Sequence, residues 1–242
     1  MEEYSNRLNL LRDMLNDGDV VFFGGAGVST ESGIPDFRSQ DGLYFTEYAY
    51  PPERIVSHSF FMQNTAEFYR FYKNKMLYPN AEPNACHNAL AKLEKLGKLT
   101  AVVTQNIDGL HQKAGSEKVF ELHGSVWRNF CVKCKKGHTM YEIIGAKGIP
   151  YCNCGGLIKP DVVLYEEALN DDVVTGAIKA ISSANTLIVG GTSLVVYPAA
   201  GLLSYFYGKN LVVINRTPTS ADKNADLVFT EDIGKVFADL QL

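Results

Sequence analysis

Short runs of β-branched and aromatic residues recur along the chain at 20–23, 100–104, 119–122, 162–165, 186–189, 211–214 and 227–229. Several, such as Val-Val-Phe-Phe at 20–23, are apolar without alternation, the pattern of strands covered on both faces of a parallel sheet. Between them the period lengthens. Ala85, Ala89, Leu90, Leu93 and Leu96 recur at helical spacings and predict an amphipathic helix over 83–96, with Gly97 near its end. The segments 171–184 and 232–240 read the same way, each opening with acids that suit a helix amino end. Strands alternating with helices predict an α/β chain with a doubly wound parallel sheet.

Two segments break this rhythm. Residues 39–80 are dense in aromatics, among them Tyr48, Tyr50, Phe60, Phe61, Phe68 and Tyr69, contain Pro51-Pro52, and read as a loop followed by a helical insertion. Residues 126–159 hold two close cysteine pairs. Both are excursions from the sheet that together form a smaller lobe. The expected division is a large lobe of 1–38, 84–125 and 159–242, a helical insertion at 39–83 and a cysteine module at 126–158.

Composition narrows the function classes. With 46% hydrophobic and 21% charged residues in 242, the chain can bury a core of ordinary globular size, one large domain with a small satellite. The 23 basic against 27 acidic residues leave a net charge of −4, which gives no electrostatic reason to expect nucleic acid or an anionic membrane as partner. No apolar run reaches the roughly 20 residues that span a bilayer. Residues 1–17 carry charges throughout and lack the apolar stretch of a signal peptide, so the expected location is the cytoplasm.

The first strand runs into Gly24-Gly25-Ala26-Gly27-Val28-Ser29-Thr30. Closely spaced glycines after a strand let backbone amides approach a pyrophosphate. As a dehydrogenase fingerprint the turn is defective, because Thr30 stands where the third glycine belongs and no strand ending in an acid follows about 20 residues on. Gly33-Ile34-Pro35-Asp36-Phe37-Arg38 then adds a rigid turn, an aromatic ring and a guanidinium. An Arg can pair with phosphate or order a loop, and a Phe can cover a reactive ring or simply fill a core.

Ligands of open parallel sheets gather beyond the carboxyl ends of the strands. Residues 100–104 end in Gln105-Asn106-Ile107-Asp108, 119–122 in His123-Gly124, 186–189 in Gly190-Gly191-Thr192-Ser193, and 211–214 in Asn215-Arg216-Thr217. One such cluster would be ordinary turn chemistry; several at one edge point to a binding crevice.

Cys131 and Cys134 form a C-x2-C knuckle, and after 17 intervening residues come Cys152 and Cys154. Two thiolate pairs at this separation suit a tetrahedral zinc site, with rubredoxin-like iron as the metal alternative and free thiols or a disulfide as the metal-free ones. Four thiolates leave no open position for water or substrate, so the metal's role is structural. Cys86 reads as a small core residue of the 83–96 helix.

The ordered motifs GAGVS at 25–29, GIPDFR at 33–38, TQNIDGLH at 104–111, LHG at 122–124, KPDVVLYEE at 159–167, GTSLVVYPAA at 191–200 and VVIN at 212–215, with the cysteine pairs among them, resemble the sirtuins, NAD-dependent protein-lysine deacylases, in a bacterial form. That resemblance implies a Rossmann-like large lobe, a small lobe of zinc module and helical insertion, and a cleft that NAD and acyl-lysine enter from opposite sides. It places Ala26, Thr30, Phe37 and Arg38 on the cofactor loop, Gln105 at a ribose, and Asn106, Ile107 and Asp108 in the nicotinamide pocket. Thr192, Ser193, Asn215 and Ile233 would hold the adenosine half, and Val162, Val163, Leu164 and Tyr165 would face an extended acetyl-lysine peptide. It gives Asn106 and Asp108 a share in the chemistry and makes His123 the general base that accepts a proton from the ribose hydroxyls; His111 would support the loop. The products would be nicotinamide, O-acetyl-ADP-ribose and deacetylated lysine.

Two departures qualify the substrate. Glu166 occupies the usual glycine position of a Phe-Gly-Glu run and Tyr165 replaces the Phe, an added carboxylate that points to basic flanking residues. Sirtuins that prefer acidic acyl groups resemble one another in a Tyr-x-x-Arg pair, whereas this chain has Tyr69 with Tyr72 and no guanidinium, so acetyl is expected over succinyl. Mono-ADP-ribosyl transfer in the same cleft and a non-catalytic NAD-sensing module are the alternative activities.

Overall fold

The computed structural model describes residues 2–36 and 48–242. Helix α1 (Glu2–Asp17) leads into β1 (Val20–Gly24). The insertion supplies α2 (Pro52–Ile55), α3 (His58–Gln63) and α4 (Thr65–Lys75). Then follow α5 (Ala85–Lys95), β2 (Leu99–Thr104), α6 (Leu110–Ala114) and β3 (Val119–Glu121). The cysteine module carries β4 (Gly124–Cys131), β5 (Gly137–Thr139), α7 (Met140–Gly145) and β6 (Ile158–Val162). The chain closes with α8 (Asp171–Ser183), β7 (Thr186–Gly190), β8 (Asn210–Ile214), β9 (Leu227–Phe229) and α9 (Ile233–Asp239).

Six strands form one parallel sheet in the order β3-β2-β1-β7-β8-β9, the doubly wound arrangement of dinucleotide-binding folds. Its interior strands are apolar at successive positions because both faces are covered. Val20, Phe22, Val102 and Ile188 pack with α1, α5 and α9, while Val21, Phe23, Val103 and Leu187 pack with α8. In the smaller lobe Phe60, Phe61, Phe68 and Tyr69 share a core with Val126, Met140, Ile143 and Ile158, which joins the aromatic insertion to the cysteine module. None of the described helices is long and apolar enough to cross a membrane.

Two elements differ from expectation. The apolar run 162–165 is not a strand of the parallel sheet. β6 pairs antiparallel with β4, and the residues after it pair with the insertion, Tyr165 N–H donating to Val56 O and His58 N–H to Tyr165 O, both at 3.0 Å. An apolar run shows that a strand is buried, not which sheet buries it. The charged amino end, read only for what it excludes, forms α1: Leu8, Leu11 and Leu15 recur at helical spacing and are buried against the sheet. Arg7 reaches Val228 O and Glu231, and Arg12 reaches Leu240 O and Asp239 O.

Helix α5 starts at an Asn84 cap whose Oδ1 accepts from Cys86 N–H at 3.0 Å. Behind it His87 and His111 lie fully buried with ring centroids 4.7 Å apart. Burial pushes His87 down to about 4 and holds His111 well below the ordinary imidazole range, with His87 opposing any charge on His111 further. Because the unfolded chain binds these protons more readily, stability is fully present above about pH 6.5 and is lost as the pH falls toward about 4. Urea midpoints measured between pH 7.5 and 4.5 should fall over that window; a profile flat throughout would contradict neutral burial of the pair.

Candidate active site and metal centre

The strand order reverses direction between β1 and β7, and this switch point is where an open α/β sheet leaves room for a ligand. Gly25 N–H donates to Gly190 O at 3.2 Å and Gly27 N–H to Gly191 O at 2.8 Å. A Cβ on Gly27 would sit 2.8 Å from Gly191 Cα, and one on Gly191 would sit 2.4 Å from the Val28 nitrogen. The two strand ends therefore meet backbone to backbone. Two 3-10 turns follow, Ala26–Val28 and Thr30–Ser32, so no long helix dipole stands behind the turn. Thr30 Oγ–H donates to Gly27 O at 3.0 Å and closes the turn from the third-glycine position.

A cleft of about 750 Å³ opens above these ends. Ala26 and Thr30 line it from the glycine turn, and Gln105, Asn106, Ile107 and Asp108 from the end of β2. His123, Thr192, Ser193, Asn215 and Ile233 line it from beyond β3, β7 and β8 and the start of α9. Val162, Val163, Leu164 and Tyr165 line it from the small-lobe side. The candidates drawn from distant parts of the sequence thus share one cavity; Phe37 and Arg38 fall outside the described residues.

Hydrogen bonds tie the floor together. Gln105 Nε2 donates to Thr192 Oγ1 at 3.1 Å, joining the ends of β2 and β7 across β1. Asn106 Nδ2 donates to Ser29 Oγ at 3.0 Å, and Ser29 Oγ–H donates in turn to Asp108 Oδ2 at 2.7 Å. The other Asp108 oxygen accepts from Leu110 N–H at 2.8 Å. Burial raises the Asp108 carboxyl above the usual range, against these two donors. Ser29, 1% exposed, is the residue missed from the sequence. Its signal was a small hydroxyl closing the GAGVS turn, but its partners lie 77 and 79 positions away.

His123 Nδ1 lies 2.9 Å from Gln105 O. A carbonyl can only accept, so Nδ1 carries the proton and the neutral ring keeps Nε2 as a lone-pair acceptor. Burial lowers the His123 pKa, partly opposed by the Gln105 carbonyl. The ring is a neutral base at pH 7. Asn215 spends its Nδ2 donors on Thr217, 2.6 Å from the carbonyl and 3.2 Å from Oγ1, which fixes the orientation of its amide.

The four candidate metal ligands converge. Their sulfurs all lie within 4.8 Å of one another, with Cys131 to Cys154 at 3.4 Å and Cys134 to Cys152 at 3.7 Å. Tetrahedral sulfurs bonded to zinc at about 2.3 Å stand about 3.8 Å apart, so the quartet fits that ion, and none of the cysteines is in a disulfide. Backbone N–H groups of the knuckle, that of Cys134 first, lower Cys131 to about 6, favouring the thiolate that a metal requires. Gly156 is needed here because a Cβ would stand 2.6 Å from Cys131 Sγ.

The sequence matches the Sir2 family over residues 25–198. The chain belongs to the Sir2 family. This Sir2 chain is 61% identical over 239 residues to an NAD-dependent protein deacetylase of Clostridium perfringens, covering 96% of the chain and 97% of that relative. It is 56% identical over 236 residues to one of Clostridium acetobutylicum, covering 96% of each. Among solved structures, a Sir2 variant with deacetylated p53 peptide and 3′-O-acetyl-ADP-ribose aligns at TM-score 0.89 and 40% identity over 97% of both chains. A complex of Sir2 with p53 peptide and NAD+ aligns at TM-score 0.84 and 41% identity over 95% of both.

Purified protein should release one zinc per chain when its thiols are titrated with a mercurial. Cys152→Ser should bind less than a tenth of that amount and melt at lower temperature. Full zinc content in this variant would remove Cys152 from the ligand set.

Proposed function

We propose that this Sir2 chain is an NAD-dependent protein-lysine deacetylase with His123 as its general base. The reading rests on one observation: a neutral imidazole of fixed tautomer shares a cleft with the buried Asn106–Ser29–Asp108 hydrogen-bond chain. The activity in the names of the Clostridium relatives supports it.

NAD supplies an anomeric carbon and nicotinamide as leaving group, and the acetyl oxygen of the lysine is the nucleophile. Asn106, Ile107 and Asp108 take the nicotinamide end, Gln105 a ribose, and Thr192, Ser193, Asn215 and Ile233 the adenosine half. Ala26 and Thr30, with Phe37 and Arg38, belong to the loop over the cofactor. His123 Nε2 takes the proton from a ribose hydroxyl. One water is consumed as the acetyl group leaves on ADP-ribose, as O-acetyl-ADP-ribose, together with nicotinamide and free lysine.

The peptide lies extended along Val162, Val163, Leu164 and Tyr165 and adds by strand pairing. Glu166, at φ +77°, is already engaged: its carboxylate accepts from Ser59 N–H at 2.8 Å and Ser59 Oγ–H at 2.9 Å. It acts on flanking residues only through its remaining negative charge. Tyr69 and Tyr72 are 1% and 0% exposed, packed into the small-lobe core, and bring no cation to an acidic acyl group. The substrates are acetylated proteins in place of nucleic acid, as the net charge of −4 favours, and unpaired thiols suit the reducing cytoplasm.

His123→Ala should keep NAD binding and lose at least about 100-fold in turnover, the usual scale of a removed general base. Near-normal deacetylation by this variant would end the assignment. Since only the neutral ring is a base and burial lowers its pKa, the acid limb of kcat/KM should lie below about pH 6.5. An acid limb above pH 7 would contradict it. At equal peptide concentration, deacetylation should exceed desuccinylation; the reverse order would refute the acyl assignment.

A further inference from the structure

The turn that carries Asp108 is held from outside by the strand leading to the cysteines. Val126 N–H donates to Ile107 O at 3.0 Å. One residue on, the half-buried Trp127 donates its indole Nε1–H to Asp108 O at 2.7 Å. Gly109 follows at φ +75°, and a Cβ there would lie 2.8 Å from both Cδ1 and Nε1 of the same indole. Ile107, Asp108 and Gly109 are thus each fitted against neighbouring groups of β4. On its other side Trp127 meets Tyr141 of α7 edge-on, with centroids 6.0 Å apart. β4 itself ends at Cys131, four residues beyond Trp127.

Asp108 is therefore gripped twice. Ser29 and Leu110 N–H fix its carboxylate, and Trp127 fixes its carbonyl. The first grip belongs to the large lobe, and the second comes from the metal-binding module. We propose that Trp127 is a positioning residue that sets the Asp108 turn for nicotinamide and makes the nicotinamide end of the cleft depend on the cysteine module. Trp127 acts through Asp108, and among the described residues its hydrogen bonds and ring contact involve Ser125, Asp108 and Tyr141 and none of the adenosine-end residues. The inference rests on the deacetylase reading and concerns one step of it, the departure and return of nicotinamide.

Exchange of labelled nicotinamide into NAD, in the presence of an acetyl-lysine peptide, separates the two. Trp127→Phe keeps a ring on Gly109 and removes only the N–H. It should raise the half-saturating nicotinamide concentration about fivefold, the size of one lost neutral hydrogen bond. NAD affinity by calorimetry should stay within about twofold, because the adenosine contacts are untouched. An unchanged half-saturation in the folded variant overturns the inference, as does an equal loss of NAD affinity, which would indicate general damage. Absence of exchange in the unaltered protein would instead overturn the deacetylase reading.

A spectroscopic readout does not depend on the variant folding. Trp127 is the chain's one tryptophan, so tryptophan emission reports this one site. In the unaltered protein, with NAD and peptide present, nicotinamide should change that emission with the same half-saturation as exchange. Emission blind to nicotinamide at concentrations that saturate exchange would overturn the proposal.

Discussion

Everything above the sheet depends on how closely the ends of β1 and β7 come together. Gly27 and Gly191 touch through their backbones, with no room for a Cβ on either, and this contact sets the height of the cleft floor. Gln105 then spans from β2 to Thr192, and Ser29, at the far side of the same turn, reaches Asn106 and Asp108. A side chain at either glycine would part the strand ends and lengthen each of these bonds. The glycines thus serve the packing of the protein on itself as much as any approach by a phosphate.

The small lobe works by a different constraint. Its metal-binding module has a short antiparallel sheet and little helix, too little to bury a core alone, and the aromatic insertion completes it. Gathering four thiolates at one point favours a bound cation, and the Cys134 N–H, donating to Cys131 Sγ at 3.5 Å, favours that thiolate. The segment after β6 belongs to both lobes. Val163 N–H donates to His123 O at 3.0 Å, and Tyr165 pairs with residues 56 and 58. The wall assigned to the peptide is held by the insertion on one edge and by the backbone of His123 on the other.

Much of this was legible in the sequence where the signal is local. Apolar runs marked the six parallel strands, most plainly the interior β1 and β7, where burial on both faces leaves no alternation, and the cysteine spacing anticipated the converging sulfurs. Polar residues at strand ends pointed to the cleft because a parallel sheet delivers all its carboxyl ends to one side. Long-range choices were not legible. Nothing in Val162-Val163-Leu164-Tyr165 says which sheet it joins, and nothing in Ser29 names partners more than 70 residues away. The His87–His111 ring contact is likewise a product of tertiary packing between α5 and α6. Helix α1 had a readable leucine spacing that its many charges obscured.

The clasp between α1 and residues 228–240 has a consequence for biosynthesis. Arg7 and Arg12 bind carbonyls of residues 228, 239 and 240, partners separated from them by 221, 227 and 228 positions. These bonds of α1 can therefore form only after residues 228–240 have been synthesised. The insertion and the cysteine module, whose shared core closes within residues 48–164, can assemble in the meantime. Vectorial synthesis thus favours the lesser lobe as the earlier folding unit, and the β8–β9 edge of the sheet that floors the cleft joins later.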